Sequence, residues 1–407
     1  MIRSTVARVD LAALQSNFRA IQDFVGTVTP GPVTPSTVAP RPSPAVLAVV
    51  KANAYGHGAE RVALALEQAG ATMLACADIE EGIVLRRAGV HVPVLVFGAL
   101  SVSDLDGLFE FSLTPTISTP SAARAVQSAA ARRSTTVGYH LKIDTGMNRL
   151  GFRHDNLGRT LPELLGSGNL RLEGIYTHFA TADEPEKPLF NDQRLRFEHA
   201  LGTLGALAGP AEAGHYDVSR VLRHACNSAA LLRDSRVWYD IVRPGLLLYG
   251  IVPPPLASTI ALTPVMSLTS RVVAVKGLRP GEAVGYGSRF SVSEPRSIAV
   301  VPAGYADGLD LRLEGRGQVL IRGTRVPIVG AVSMDMMTVD VTGLDQVQPG
   351  DEVVIIGRQG HESWQQIDVR EMAAAIGTIP YEIVCRVGSR IERQYFETSH
   401  GDTESRR

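Results

Sequence analysis

The chain has 407 residues, of which 45% are hydrophobic, and its 40 Lys and Arg nearly balance its 41 Asp and Glu. This length indicates about two domains, since a domain usually takes about 100–200 residues. The balanced charge creates no large field that would attract nucleic acid or an anionic membrane, so a small metabolite is the better predicted partner.

Cysteine usage and the N-terminal sequence predict a reducing compartment. Cys76, Cys226 and Cys385 are too few and too scattered for a disulfide framework or a cysteine metal site. The start, MIRSTVARVDLAALQSNF, lacks the uninterrupted apolar core of a signal peptide, and no apolar stretch approaches the ~18 residues that span a bilayer. We therefore expect a cytoplasmic protein without a metal site.

The N-terminal segment predicts one strand and one helix before an irregular excursion. Thr5 to Val9 alternate like a strand, and Asp10 is a typical N-cap for a helix through Gln22. Residues 26–44 are rich in Pro and Thr, a composition that can neither form a helix nor bury a core. We expect this excursion to be exposed and to carry no chemistry.

An alternation of apolar runs and amphipathic segments then determines the predicted fold. The strand-like runs are Leu47–Val50, Met73–Ala75, Val94–Phe97, Thr114–Ile117, Val137–Ile143, Leu172–Tyr176, Val221–Ala225 and Ile241–Val242. Intervening helices are predicted at Ala59–Gln68, Ile79–Arg87, Pro120–Ala131 and Asp192–Leu207. Eight strands with helices between them predict an α/β fold, a (β/α)8 TIM-like barrel, over residues 1–258.

The remainder predicts a mostly β C-terminal domain over residues 259–396. Strand-like runs separated by Gly-rich turns occur at Leu268–Val275, Ser297–Val301, Gln318–Ile321, Thr338–Val341 and Glu352–Ile356. Only Val369–Ala375 has a clear helical pattern, and the polar residues 397–407 are expected to form a disordered tail.

Lys51 directly follows the apolar run Ala45–Val50, at the end of the first predicted barrel strand. Functional residues of such barrels collect at the C-terminal ends of the strands. Apolar surroundings disfavour the ammonium form, which would lower the pKa of Lys51 and make it a usable nucleophile or base. The alternative from this segment alone is a lysine whose amine extends to solvent at a strand end.

The other strand ends carry further polar residues. Four motifs at these ends contain Lys142, Asp144 and Arg149 (HLKIDTGMNRLGF), His178 (GIYTHFATAD), Asn227 and Ser228 (HACNSAA), and Arg243 and Gly245 (VRPGLLLYG). Each residue alone has an ordinary structural interpretation as a cap, an ion pair or a satisfied core group. Together they supply an amine, an anion site at a helix start and fixed cations, which suit pyridoxal phosphate bound as a Schiff base.

These motifs also carry a family resemblance. Nine of them are AVVKANAYGHGA, LKIDTGMNRLGF, THFATAD, NSAA, VRPGLLLYG, VGYG, GYADG, SMDMM and IPYEIVC. They occur in the same order in alanine racemases, so that the chain resembles this family along nearly its whole length. The resemblance implies a pyridoxal 5'-phosphate enzyme that supplies D-alanine for peptidoglycan. It also implies a head-to-tail homodimer whose active sites are shared between subunits.

By this resemblance, Lys51 holds the cofactor and is the base on the D face of the substrate, while Tyr286 of the partner subunit is the base on the L face. The residues that resemble the family's cofactor contacts are Tyr55, His178, Asn227, Ser228, Arg243, Tyr381 and the backbone N–H groups of Gly245 and Leu246. Those that resemble its substrate and entrance positions are Arg149, Met334, Tyr305 and Asp335, and Lys142 matches a position that is carbamylated in many relatives.

Arg243 distinguishes among the enzymes that this resemblance allows. The resemblance implies that Arg243 faces the pyridine nitrogen of the cofactor. An arginine stays protonated and can only donate, so this nitrogen must accept and remain unprotonated. The cofactor would then be a weaker electron sink, which suits racemisation better than decarboxylation. A broader or serine-preferring racemase, an amino-acid decarboxylase and a non-catalytic cofactor carrier remain the alternatives.

Overall fold

A computed structural model of the chain describes residues 4–27, 43–100, 104–208, 218–360 and 364–397. The predicted Pro/Thr-rich excursion, apart from its ends, and the predicted tail, apart from Glu397, lie outside these residues. Among the described residues, no helix is both long and apolar enough to cross a lipid bilayer.

Eight parallel strands close into a barrel, which confirms the predicted fold class. The sheet closes where Thr114–Ile117 pairs with Val137–Asp144, and where Ile241–Arg243 pairs with Ala45–Val49. The barrel strands are Ala45–Val49, Met73–Cys76, Val94–Val96, Thr114–Ile117, Val137–Asp144, Leu170–Tyr176, Leu222–Asn227 and Ile241–Arg243, and the short strand Phe152–Arg153 pairs with the fifth of them. Each predicted run coincides with one strand, and no end differs by more than two residues.

Helices connect the barrel strands, and their caps explain where they begin. Asp78 accepts the N–H of Glu81 at 2.8 Å, and Thr119 accepts the N–H of Ala122 at 3.1 Å. The α-helices of this part are Leu11–Thr27, Ala59–Gln68, Ile79–Arg87, Asp106–Glu110, Pro120–Arg132, Leu157–Leu165, Leu189–Ala208 and Ser228–Arg233, and Lys51–Tyr55 is a helical turn with a left-handed backbone. Short 3₁₀ turns occur at Val218–Arg220, Ser235–Val237 and Leu246–Tyr249. The four predicted barrel helices are all present.

The C-terminal part is mostly β, as predicted. Its strands are Met266–Arg271, Ala274–Leu278, Ala283–Val284, Phe290–Ser291, Arg296–Val301, Gln318–Ile321, Thr324–Pro327, Met337–Asp340, Glu352–Gln359, Gln365–Ile367 and Glu392–Phe396. Its helices are Val369–Ile376 and Pro380–Cys385, with 3₁₀ turns at Tyr286–Ser288, Tyr305–Asp307 and Leu311–Leu313. The run predicted as one strand, Leu268–Val275, is divided between two strands that belong to different sheets.

The N-terminal strand, Val6–Asp10, lies in the sheet of the C-terminal part. It pairs antiparallel with Met266–Arg271 and parallel with Glu392–Phe396. Asp10 then caps the helix Leu11–Thr27 by accepting the N–H of Ala13 at 2.8 Å. A division at residue 258 therefore assigns this strand to the barrel although its hydrogen bonds join it to the other sheet. The boundary itself stays a prediction.

One hydrophobic core extends through both parts of the chain. The short helix Pro380–Cys385 of the C-terminal part lies against the turn that follows the first barrel strand. The two approach so closely that a Cβ at Gly56 would overlap the carbonyl oxygen of Val384. The mouth of the barrel at Lys51 is thus bordered by the C-terminal part.

Candidate active site

Four cationic side chains gather at the C-terminal ends of the barrel strands and in the loops after them: Lys51, Lys142, Arg149 and Arg243. Burial is the main cause of the lowered pKa of Lys51, and the charges of Arg149 and Arg243 lower it further. The expectation that Lys51 is partly desolvated is therefore confirmed. A lysine that loses its proton more readily than usual can act as a nucleophile or base.

The backbone after Lys51 forms a left-handed helical turn. Ala52, Asn53, Ala54 and Tyr55 have φ between 51° and 54°. For residues other than glycine this conformation costs roughly 1–2 kcal/mol each, and it normally occurs at single positions. Gly56, which follows, also has a positive φ of +80°, and the four left-handed residues before it were not predicted.

A small polar cradle lies beside this turn, because the strand that leads to Gly245 pairs with the strand that leads to Lys51. The Oγ of Ser228 accepts the N–H of Gly245 at 2.8 Å. A Cβ at position 245 would overlap the Oη of Tyr55 and lie 3.0 Å from its Cζ, so only glycine allows this approach. The rings of Tyr55 and Tyr381 are 6.1 Å apart, and burial raises the pKa of both, that of Tyr381 to about 12.

Asn227 and Ser228 begin a helix, as predicted. The Oδ1 of Asn227 accepts the N–H of Ala230 at 2.9 Å and caps the helix Ser228–Arg233. Ser228 is buried behind this cap. The N–H of Gly245, which donates to this serine, and the N–H of Leu246 lie at the start of the 3₁₀ turn Leu246–Tyr249.

Four acceptors surround the guanidinium of Arg243. Its Nη2 donates to the carbonyl oxygens of Thr177 at 2.8 Å and Ala225 at 3.0 Å. It also lies 3.4 Å from the Nδ1 of His178. Burial lowers the pKa of Arg243 to about 10, which leaves the guanidinium charged at neutral pH. Burial and the neighbouring cations keep the pKa of His178 well below its usual value, so this imidazole is neutral.

Two buried histidines that we did not predict extend from Arg243 into the barrel. The Nη1 of Arg243 lies 3.0 Å from the Nδ1 of His224, and the Nε2 of His224 lies 2.8 Å from the Nδ1 of His140. Because a guanidinium can only donate, His224 must accept at Nδ1 and donate from Nε2. One signal could have identified His140. It lies two residues before Lys142 on the same strand, so that both side chains lie on the same face of the sheet.

Lys142 is buried and has no carboxylate partner in the described part of the chain. Its Nζ lies 4.9 Å from the centre of the Tyr176 ring. Burial, followed by the charges of Arg243 and Arg149, lowers the pKa of Lys142 to about 7. Asp144, two residues further along the chain, accepts backbone N–H groups of the following turn instead of pairing with Lys142.

Cationic side chains are therefore in surplus at the mouth of the barrel. None of Lys51, Lys142, Arg149 and Arg243 belongs to an ion pair among the described residues. Buried charge of one sign is costly unless an opposite charge is bound nearby. Together with the glycine-lined cradle, this surplus fits an anionic, phosphorylated cofactor. In the described ranges, His, Cys, Asp and Glu form no cluster that could hold a metal ion.

The remaining predicted residues lie on an exposed face of the C-terminal part. Tyr286 is 77% exposed, Met334 52% and Tyr305 43%. The N–H of Tyr305 donates to the carbonyl oxygen of Ser333 at 3.0 Å, which joins two of their loops. Nowhere in the described structure does the Tyr286, Tyr305 or Met334 side chain form a hydrogen bond with the groups around Lys51. Asp335 forms an ion pair with Arg390 at 2.6 Å.

Comparison with known proteins gives consistent results over the whole chain. Residues 35–253 match the family described as alanine racemase, N-terminal domain, and residues 265–395 match alanine racemase, C-terminal domain. The alanine racemase of Symbiobacterium thermophilum is 40% identical over 97% of each chain.

Solved structures agree. Alanine racemase from the D-cycloserine producer Streptomyces lavendulae has a TM-score of 0.86 at 31% identity, covering 98% of this chain and 99% of that one. The Bacillus anthracis alanine racemase with bound L-Ala-P has a TM-score of 0.83 at 35% identity, covering 98% of this chain and 96% of that one.

Proposed function

The chain belongs to the alanine racemase family, and from this premise we propose that it binds pyridoxal 5'-phosphate and interconverts L-alanine and D-alanine. The observation that carries the proposal is the surplus of cationic side chains around Lys51, next to a cradle that only glycine permits at position 245. The similar Bacillus anthracis structure, whose bound compound is L-Ala-P, supports an alanine-sized substrate.

Five groups would hold the cofactor's phosphate: the side chains of Tyr55, Ser228 and Tyr381, and the backbone N–H groups of Gly245 and Leu246. Lys51 would carry the cofactor covalently, and Arg243 would donate a hydrogen bond to its ring nitrogen. When bound, pyridoxal phosphate withdraws electrons from the substrate and acidifies its α-proton. The four acceptors around Arg243 hold its guanidinium in place, so it remains a donor at that position.

Two bases on opposite faces of the substrate would exchange the α-proton. Lys51 serves the D face, where its lowered pKa makes a neutral amine accessible. Tyr286 of a partner copy serves the L face. Its exposure in the single chain supports a homodimer with shared active sites, since a second chain could bring this tyrosine to Lys51. His178, held against Arg243, would stabilise the phenolate of that tyrosine.

The other predicted roles concern the substrate. Arg149 would orient its carboxylate, with Met334, Tyr305 and Asp335 of the partner copy at the entrance. Lys142 would be carbamylated and would then hold Arg149 by a charge-assisted contact. A pKa of about 7 supports this role, because only the neutral amine reacts with carbon dioxide.

A cytoplasmic location and a supply of D-alanine for peptidoglycan complete the proposal. The location is supported by the three free cysteines, which fit a reducing compartment. The decarboxylase alternative is disfavoured by Arg243, since decarboxylation gains from an acidic partner at the ring nitrogen.

The test is proton NMR of the protein with pyridoxal phosphate and L-alanine in deuterated water, with D-alanine assayed in the same tube. Loss of the α-proton signal together with formation of D-alanine is the expected result. Bound cofactor without any exchange of alanine would refute the substrate assignment, and L-serine and the basic amino acids then distinguish a serine racemase or a decarboxylase from a cofactor carrier.

A further inference from the structure

The left-handed turn Ala52–Tyr55 sets the direction in which Lys51 leaves its strand. It also places Tyr55, four residues later, against Gly245. Alanine, asparagine and tyrosine do not favour four consecutive left-handed residues, so local preference cannot maintain this conformation. Contacts from elsewhere in the fold must hold the turn.

Glu81 holds the N-terminal end of the turn. Its Oε1 accepts the backbone N–H of Ala52 at 2.6 Å and lies 3.4 Å from that of Asn53. Its Oε2 accepts the N–H of Ala77 at 2.8 Å, at the end of the second barrel strand. The first N–H groups of a helical turn have no acceptor within the turn, and a carboxylate is the strongest acceptor that a side chain can supply.

Arg393 holds the C-terminal end of the turn. Its Nε and Nη2 donate to the carbonyl oxygen of Gly56 at 3.1 and 3.0 Å. Its other N–H groups donate to the carbonyl oxygens of Val387, Gly388 and Ile391, which anchors the guanidinium in the C-terminal part. The turn therefore has an acid at its N-terminal end and a cation at its C-terminal end, the signs that complement the peptide dipoles.

We propose that Glu81 and Arg393 are positioning residues for the reaction: they clamp the two ends of the left-handed turn and so hold Lys51 and Tyr55 in their working orientation. Neither touches the substrate or the cofactor in this scheme. The inference rests on the proposed function only in that Lys51 is taken as the catalytic amine. Misplacement of a reacting group by about 1 Å can cost about 100-fold in rate.

The test compares Glu81→Ala, Glu81→Gln and the matched control Glu80→Gln in the full-length holoenzyme. Glu80 is exposed on the same helix and makes no side-chain contact with the turn among the described residues, so its variant removes the same charge one position away. Hydrogen–deuterium exchange of the peptide containing residues 51–58 reports the turn directly. Alanine racemisation in both directions reports kcat and KM.

We expect Glu81→Ala to increase exchange in residues 51–58 while the rest of the barrel stays protected. It should lower kcat at least tenfold with less than a threefold change in KM. Glu81→Gln, which keeps an oxygen acceptor, should recover part of both effects, and Glu80→Gln should match the wild type. Arg393→Lys, which keeps one donor for Gly56, should increase exchange at the other end of the same peptide.

Two results would overturn the proposal. Unchanged exchange in Glu81→Ala would show that the carboxylate does not hold the turn. Faster exchange with kcat within twofold of the wild type would show that the turn does not position Lys51. A wild type that racemises nothing would refute the proposed function, and the exchange measurement would then alone support or overturn the clamp.

Discussion

Substitution of Gly245 by alanine tests the phosphate cradle through the packing of a single methyl group. The new Cβ would lie 3.0 Å from the Cζ of Tyr55 and overlap its Oη. Tyr55 is buried between Tyr249 and Tyr381 and cannot simply rotate into solvent.

Such overpacking of a buried site typically costs about 1–3 kcal/mol. If the displaced Tyr55 reduces cofactor binding by the same free energy, the dissociation constant for pyridoxal phosphate rises by a factor of about 5–150. Titration of the cofactor-free variant with pyridoxal phosphate, followed by absorbance, measures this constant, and urea unfolding measures the stability.

Gly277→Ala is the matched control, because a Cβ at position 277 has no heavy atom within 4 Å. We expect that variant to bind the cofactor like the wild type and to change the free energy of unfolding by less than about 0.5 kcal/mol. Wild-type cofactor affinity in Gly245→Ala would refute the reasoning that Tyr55 and Gly245 form the phosphate cradle.

Three further predictions concern the amines and the second base. Lys51→Ala should remove the absorption band of covalently held cofactor, and a retained band would exclude Lys51 from that role. Tyr286→Phe should lose α-proton exchange from L-alanine in deuterated water while retaining exchange from D-alanine, whereas equal losses would contradict a two-base mechanism. In the folded protein Lys142 has a pKa of about 7, against 10.5 for an ordinary lysine. Between pH 7 and 10.5 the unfolded chain therefore binds more protons at this lysine than the folded protein does, and the contribution of Lys142 to the free energy of unfolding rises with pH. In bicarbonate-free buffer, the free energy of unfolding of the wild type relative to Lys142→Met should therefore increase from pH 7 to 10.5, with a slope of at most about 1.4 kcal/mol per pH unit; parallel curves for the two proteins would count against a buried amine.

The fold was predictable because the strongest sequence signals are local. Continuous apolar runs such as Val94–Val96 indicate strands buried on both faces, and the helices between them begin at residues such as Asp78 and Thr119 that cap their own first turns. The N-terminal strand Val6–Asp10 was predicted as a strand, but its partner sheet could not be, since pairing with Glu392–Phe396 joins residues from opposite ends of the chain.

The residues of the candidate site likewise fall into those that the sequence predicts and those that it does not. Strand ends identified Lys51, His178 and Arg243, because a parallel barrel gathers its C-terminal strand ends at one mouth. His224 was missed because a histidine inside a strand resembles a core residue until its neighbours are known. The roles carried over for Tyr286, Tyr305 and Met334 depend on a second chain and stay predictions.

By itself, the sequence determined the strand and helix order, the barrel and the family, because periodicity, caps and motif order are properties of neighbouring residues. The tertiary structure alone decided the left-handed turn after Lys51, the neutral state of His178 and the lowered pKa of Lys142. Each depends on groups distant in the chain, such as Glu81, Arg393 and Arg243, whose hydrogen bonds and charges act only once folding has brought them together.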